Sequence, residues 1–206
     1  MTTSWHFYEP AIGHRLPHDP LNAIVAPRPI GWIGSMSADG VANLAPYSFF
    51  NLFNYKPPLI GFSSSGWKDS VANIAATREF VWNLATRDLA EAMNATSAGV
   101  GPEVDEHALA GLETAPSRLV APPRVAASPV AFECKLTQIV RLQTQEGREL
   151  DQSLVIGEAV GIHIDTAMLD DGIYQTARAR PILRGGGPAD YFDVTDANLF
   201  RMRRPG

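Results

Sequence analysis

Cysteine is almost absent from this chain: Cys134 is the only one in 206 residues. No disulfide can form within one chain, and no cysteine-based metal cluster can be assembled. Long apolar runs are also lacking. No 18-residue stretch is apolar enough to suggest a membrane span. Residues 1–10 have neither the basic start nor the apolar centre of a signal peptide, so a soluble, cytoplasmic protein is the expectation. Positive charge is in deficit as well. Seventeen Lys and Arg against 22 Asp and Glu give a formal net charge of −5 and a pI near 5.5, which offers no electrostatic reason to expect nucleic acid. No internal repeat of 20 to 50 residues is present.

Several chemical signatures are missing too. There is no GxGxxG after a strand, no GxxxxGK[ST], no HExxH and no GxSxG, which removes the strong nucleotide and hydrolase motifs. The five histidines, His6, His14, His18, His107 and His163, are scattered. His14 and His18 have the spacing of a helical metal pair, but Pro17 between them argues against the helix, and no metal is expected. No catalytic side chain stands out. Any chemistry would then belong to a bound cofactor, which needs shape, backbone donors and an anion grip more than an acid and a base.

What is present is concentrated in residues 27–70. Ile30 to Ser35 is a short apolar run that stops at Ala38-Asp39-Gly40, a hairpin signal because glycine accepts the positive φ of such turns. Val41 to Tyr47 returns, Lys56-Pro57-Pro58 breaks any helix, and Leu59 to Phe62 restarts a strand. Then Ser63-Ser64-Ser65-Gly66 reads as a loop of small hydroxyl residues, Lys68 adds a positive charge, and Asp69-Ser70 reads as a cap on a helix over Val71–Thr77. A strand, such a loop and a helix N-terminus together offer unpaired N–H groups, hydroxyls and a cation to one anion, phosphate above all. An ordinary surface turn that uses serine for solubility and capping explains the same residues, and both readings stand at this point.

The rest of the chain supplies more strands than helices. Glu79 to Ala85 alternates like a strand, Arg87 to Ala95 has helical spacing, and Asn94 to Ser97 leads into a glycine-containing loop of the kind that lines or covers pockets. Pro129 to Leu142 and Ser153 to Asp165 read as long antiparallel partners around a polar turn, Gln145–Gln152. Gly157 and Gly161 suggest bends or close backbone approach. Six or so strands and two or three short helices predict a mainly β protein, a β-barrel with helical additions. One domain over 1–206 is expected, with an arm at about 1–20 and a tail at about 185–206.

The runs PRPIGWI (27–33), DGVANLAPYSFFN (39–51), PPLIGFSS (57–64), KDS (68–70), EFVWNL (79–84), LAEAMNATSA (89–98) and SPVAFEC (128–134) resemble the flavin reductase-like family of FMN-binding split barrels. LVIGEAVGIHID (154–165) and RPILRGGG (180–187) are similar to its later motifs. The resemblance spans nearly the whole chain in order. It implies an antiparallel split barrel, a homodimer, and FMN bound at or near the subunit interface. Ser63, Ser64, Ser65, Lys68, Asp69 and Ser70 would hold the phosphate. Pro46, Tyr47, Ser48, Phe49 and Asn51 would line the flavin ring, where aromatic surface and polar groups suit its face and edge.

Arg28 and Pro29, in a rigid Pro-Arg-Pro frame, Asn94, and Arg184 before three glycines complete the implied cofactor-binding set. The resemblance further implies reduction by NADH or NADPH and delivery of reduced flavin or electrons to a partner such as a monooxygenase. One departure bears on this. Shorter flavin reductases often have an Asp-His pair where this chain has Asp151-Gln152, and glutamine cannot carry a proton. A non-catalytic, flavoredoxin-like electron carrier with tightly bound FMN is the alternative, followed by an apo interaction domain.

Overall fold

The computed structural model describes residues 4–205. Met1 to Thr3 and Gly206, at the ends of the expected arm and tail, lie outside the described residues. The β-rich runs form seven strands: β1 (Gly31–Met36), β2 (Ala42–Tyr47), β3 (Phe50–Asn54), β4 (Leu59–Ser65), β5 (Glu79–Asn83), β6 (Val130–Gln143) and β7 (Glu149–Ile164). They make one sheet in the order β2-β1-β5-β6-β7-β4-β3, with every pairing antiparallel.

The two edge strands, β2 and β3, are consecutive in the chain and joined only through Ser48 and Phe49. Six inter-strand steps of about 4.8 Å would put the edges of a flat sheet about 29 Å apart, whereas such a link reaches only about 10 Å. The sheet must therefore curl until its edges approach. The result is the expected antiparallel split barrel, mainly β with short helices.

Local chemistry explains most of the elements. The hairpin between β1 and β2 turns at Asp39-Gly40, with Gly40 at φ +86° and Ser37 N–H donating to Val41 O at 2.8 Å. Helix α2 (Asp69–Thr77) buries Val71 and Ile74 and stops at Arg78, which adopts φ +67°. α3 covers Ala90–Ala95, starting three residues later than the spacing predicts, after a bridge at Thr86 to Pro181. The sequence reading missed two four-residue helices, α1 (Leu21–Ile24) and α4 (Glu106–Leu109). Each is a single turn, too short for a periodic signal. β7 also begins at Glu149, so the polar turn is shorter than expected and closes with Thr144 N–H donating to Arg148 O at 2.9 Å.

Both faces of β1 are covered, because Ile33 points into the barrel with Phe62, Ile74, Phe80 and Val155, while Trp32 joins a second cluster with Leu44, Met93, Val125 and Ile182. This is why Gly31 to Ser35 reads as one buried run rather than an alternation. The glycines of β7 have the effect expected of them. Register shifts fall beside Gly157 and Gly161, and a Cβ at Gly157 would overlap the ring of Phe80. Among the described residues no helix is long and apolar enough to cross a membrane, and no group of three or more His, Cys, Asp or Glu side chains is placed to hold a metal ion.

One carboxylate locks the outer loop to the barrel. Glu133 on β6 is 0% exposed and accepts hydrogen bonds from the N–H groups of Arg118 (2.8 Å), Leu119 (2.5 Å) and Val120 (3.2 Å) and from His163 Nε2 (2.5 Å). Desolvation by itself raises the carboxyl pKa. The bonds from His163, Arg118 and Leu119 outweigh it and hold the group below its ordinary value.

Two outcomes follow. Gly157→Ala is expected to lower unfolding free energy by about 1–3 kcal/mol through overpacking, read from denaturant midpoints at unchanged slope. For Glu133 the depressed folded value means that its contribution is complete above the unfolded value of about 4.3 and is lost as pH falls through the lower folded value. Glu133→Gln is therefore expected to reduce stability at pH 7 and to flatten its decline in acid, measured by urea unfolding across pH 3 to 7. An unchanged acid slope contradicts this assignment.

Candidate functional site

The serine stretch is not a loop. β4 continues through Ser65, because β7 starts early enough to pair Ser63 with Leu154, Ser64 with Ser153 and Ser65 with Gln152. Strand alternation then divides the three hydroxyls. Ser64 is fully buried and donates to Gly66 O at 3.2 Å, whereas Ser63 and Ser65 line a cleft. The turn itself is Gly66-Trp67, with Gly66 at φ +79°.

Nor do Asp69 and Ser70 cap the helix. Lys68 holds the N-cap position in extended conformation without a side-chain capping bond, and Asp69 and Ser70 lie in the first turn of α2. Ser70 is buried and donates to Asn43 Oδ1 at 2.8 Å.

The cleft, about 650 Å³, opens where the barrel edges meet. Pro46, Tyr47, Ser48 and Phe49 form one wall, and Ser63, Ser65, Lys68, Asp69 and Ser70 form another. Residues 96–100 and Gln152 complete the rim. Among the described residues the Lys68 side chain has no ion pair and no hydrogen bond with another side chain or backbone. The first N–H groups of α2 have no acceptor inside the helix, as at any helix start. Gln152 Nε2 donates to Ser63 Oγ at 2.9 Å.

A buried polar network supports this wall from behind, and it includes residues that sequence reasoning missed. Glu106, 5% exposed, accepts from Asn43 Nδ2 and from Leu44 N–H, both at 2.9 Å. Asn43 Oδ1 in turn accepts from Ser70 and, at 3.2 Å, from Ser35. Glu106 comes from α4, a single turn with no periodic signal, so nothing in the sequence links it to Asn43. Thr96 anchors the rim by accepting from Trp32 Nε1 at 3.0 Å.

The aromatic residues separate. Tyr47 is buried against Phe62, with ring centroids 4.4 Å apart, and burial pushes its phenol pKa up, with partial relief from Ser70 and Ser64. Phe50 stacks on Trp82 at 5.4 Å. Phe49 is 50% exposed and faces the cleft.

At Ser48 and Phe49 the cleft meets a smaller one of about 290 Å³ that holds Arg28 and Arg184. These arginines are cross-strand neighbours, since Arg28-Pro29 pairs with Arg184-Leu183 in a small sheet over Ile182–Arg184 and Tyr191–Asp193. Pro29 takes part as strand backbone. The Arg28 guanidinium lies 5.5 Å over the Phe49 ring and donates to carbonyls, Asn22 O at 2.7 Å and Val25 O, while its buried Nε has no partner. Arg184 donates to Asp190 O at 2.8 Å and Pro188 O at 2.9 Å. No carboxylate pairs with either one among the described residues.

Two residues stand apart from the main cleft. Asn51 is exposed on β3, where its side chain accepts from Leu52 N–H at 2.8 Å. Asn94 lines a neighbouring cavity of about 790 Å³ with Arg184 and Tyr191, and that cavity adjoins the main cleft at Ser97.

Comparison with known proteins agrees with this fold. The family model described as flavin reductase like domain matches residues 25–183. An uncharacterised protein of Aquifex aeolicus is 38% identical over 170 residues, covering 80% of this chain and 83% of its own. Nitrilotriacetate monooxygenase component B from Bacillus cereus superposes with TM-score 0.79 at 28% identity, over 88% of this chain and 91% of that one. The 2-nitrobenzoate 2-nitroreductase NbaA of Pseudomonas fluorescens gives TM-score 0.77 at 30% identity, over 90% and 88%. With a match over most of its length and the split barrel in place, the chain belongs to the flavin reductase like domain family, flavin-related oxidoreductases.

Proposed function

We propose that this protein is an FMN-binding reductase, a cytoplasmic homodimer of one domain per chain, that takes hydride from NADH or NADPH and delivers electrons or reduced flavin to a partner such as a monooxygenase. The observation that carries this reading is the convergence at the barrel corner. An ammonium with no partner among the described residues, hydroxyls and a helix start stand on one side of the cleft, and aromatic and proline surface stands on the other.

The residues fit the group. Lys68, Ser65 and the first N–H groups of α2 suit a phosphate dianion. Two carboxylates share the cleft, but Glu106 is engaged by Asn43 and Leu44, and Asp69 occupies the first turn of α2, where a negative charge is favoured. Pro46 and the exposed face of Phe49 offer apolar surface to a planar ring, and Ser48 offers a hydroxyl to its polar edge. Arg28 and Arg184 add positive potential where the two clefts join. When bound, FMN supplies hydride acceptance, which none of these side chains offers.

The contribution of the chain is then to bind, orient and exclude water. Ser63 is held by Gln152, and Thr96 fixes the rim. Gln152 itself donates a hydrogen bond and cannot carry a proton. That residue favours the second reading, a tightly bound FMN that shuttles electrons without turnover of nicotinamide. The exposed apolar side chains of Leu52, Phe53 and Tyr55 around edge strand β3 support a dimer.

NAD(P)H oxidation with added FMN separates the readings. Steady turnover supports the reductase, whereas a yellow protein reduced by dithionite but by neither nicotinamide supports the carrier. Lys68→Ala is expected to weaken FMN binding about tenfold or more, the loss of one charge-assisted contact, while riboflavin, which lacks the phosphate, binds both proteins equally in a fluorescence-quenching titration. An equal loss for riboflavin places Lys68 away from the phosphate.

A further inference from the structure

Phe49 stands between two cavities, since it lines both the main cleft and the smaller one of about 290 Å³. Its backbone is pinned. It is one of the two residues that link β2 to β3, and its carbonyl accepts Ser63 N–H at 2.8 Å. The side chain is 50% exposed, and an aromatic ring so open to solvent changes rotamer freely unless something holds it. A wall that is ordered only when a ligand arrives weakens binding, because the lost freedom is charged to the complex.

One contact holds the ring in advance. The Arg28 guanidinium, a lining group of the smaller cavity, lies 5.5 Å over the Phe49 ring centroid. Arg28 is itself fixed from two directions. Its Nη1 donates to Asn22 O at 2.7 Å, within α1, and to Val25 O just after it, while Nη2 donates to Gly185 O at 3.4 Å. Its backbone pairs with Arg184. The planar fork can make these edge bonds and still offer its face to a ring, which a lysine ammonium cannot do.

The lining of the cavities shows how Arg28 can act. Arg28 does not line the main cleft, whereas Phe49 does. A ligand held there therefore meets Arg28 through Phe49. Arg184, the cross-strand neighbour, serves a different ring: it lies 4.9 Å over Tyr191, which lines the cavity of about 790 Å³ instead.

We infer that Arg28 is a positioning residue for the ring-binding wall: it orders Phe49 from behind and so strengthens binding of the flavin ring rather than of its phosphate. The inference rests on the flavin reading of the cleft. A cation over a half-exposed ring, together with one side chain ordered beforehand, corresponds to about threefold to tenfold in affinity.

The test is a double-mutant cycle on the whole chain, comparing the parent, Arg28→Gln, Phe49→Leu and the double variant in fluorescence-quenching titrations with riboflavin and with FMN. Arg28→Gln is expected to weaken both compounds alike, by about threefold to tenfold, unlike Lys68→Ala. In the Phe49→Leu background the same change should leave both affinities within about twofold, because the ring through which Arg28 acts is gone. Arg28→Lys keeps a cation without the fork and should fall between the parent and Arg28→Gln; it takes the place of Arg28→Gln in the cycle if that variant does not fold. Three outcomes overturn the inference and leave the flavin reading standing: a loss for FMN alone, which puts Arg28 on the phosphate; an undiminished loss in the Phe49→Leu background; or no loss on replacing Arg28. A parent that binds neither compound overturns the flavin reading and this inference with it.

Discussion

The short link between β2 and β3 constrains everything around it. Because Ser48 and Phe49 alone connect the outermost strands of a seven-stranded sheet, the sheet has to curl, and the place where its edges meet cannot be filled by another strand. A cleft is left there. The third and fourth strands turn back beside it, so that Ser63 N–H donates to Phe49 O at 2.8 Å, and the helix that follows the fourth strand starts at its rim. Site and barrel closure are one geometric fact.

Buried polar groups then tie the peripheral segments to the barrel. Buried carboxylates are costly unless donors surround them, and among the described residues Glu106 accepts from one backbone N–H and one side chain while Glu133 accepts from three backbone N–H groups and one side chain. Each ties a peripheral segment to a strand. Glu106 ties a helical turn to Asn43 and so orients Ser70 behind the cleft, and Glu133 ties residues 118–120 to the sixth strand. The barrel supplies the frame, and these carboxylates hold the loops on it.

The sequence disclosed the frame better than its joints. Alternation, the Asp39-Gly40 turn and the bending glycines of the seventh strand all follow local rules, and the strands fall close to where those rules place them. The serine run misled because three small hydroxyl residues before a glycine look like a loop. Pairing with residues 152–154 is a long-range fact that overrides the local preference and turns Ser64 away from Ser63 and Ser65. Tyr47 serves both surfaces, since its ring packs in the core against Phe62 while the residue still lines the cleft. The Asn43–Glu106 bond spans 63 residues and leaves no local trace. The family resemblance reached further than the local rules because it carries motif order across the whole chain.

The central claim is that the barrel corner grips the phosphate of FMN through Lys68, Ser65 and the start of the following helix. A crystal structure of the protein grown with FMN tests it most directly. The account requires the phosphate within hydrogen-bonding distance of Lys68 Nζ, Ser65 Oγ and at least one N–H of residues 69–71, with the ring beside Phe49. A phosphate seated elsewhere, or turned to solvent with the corner empty, contradicts it.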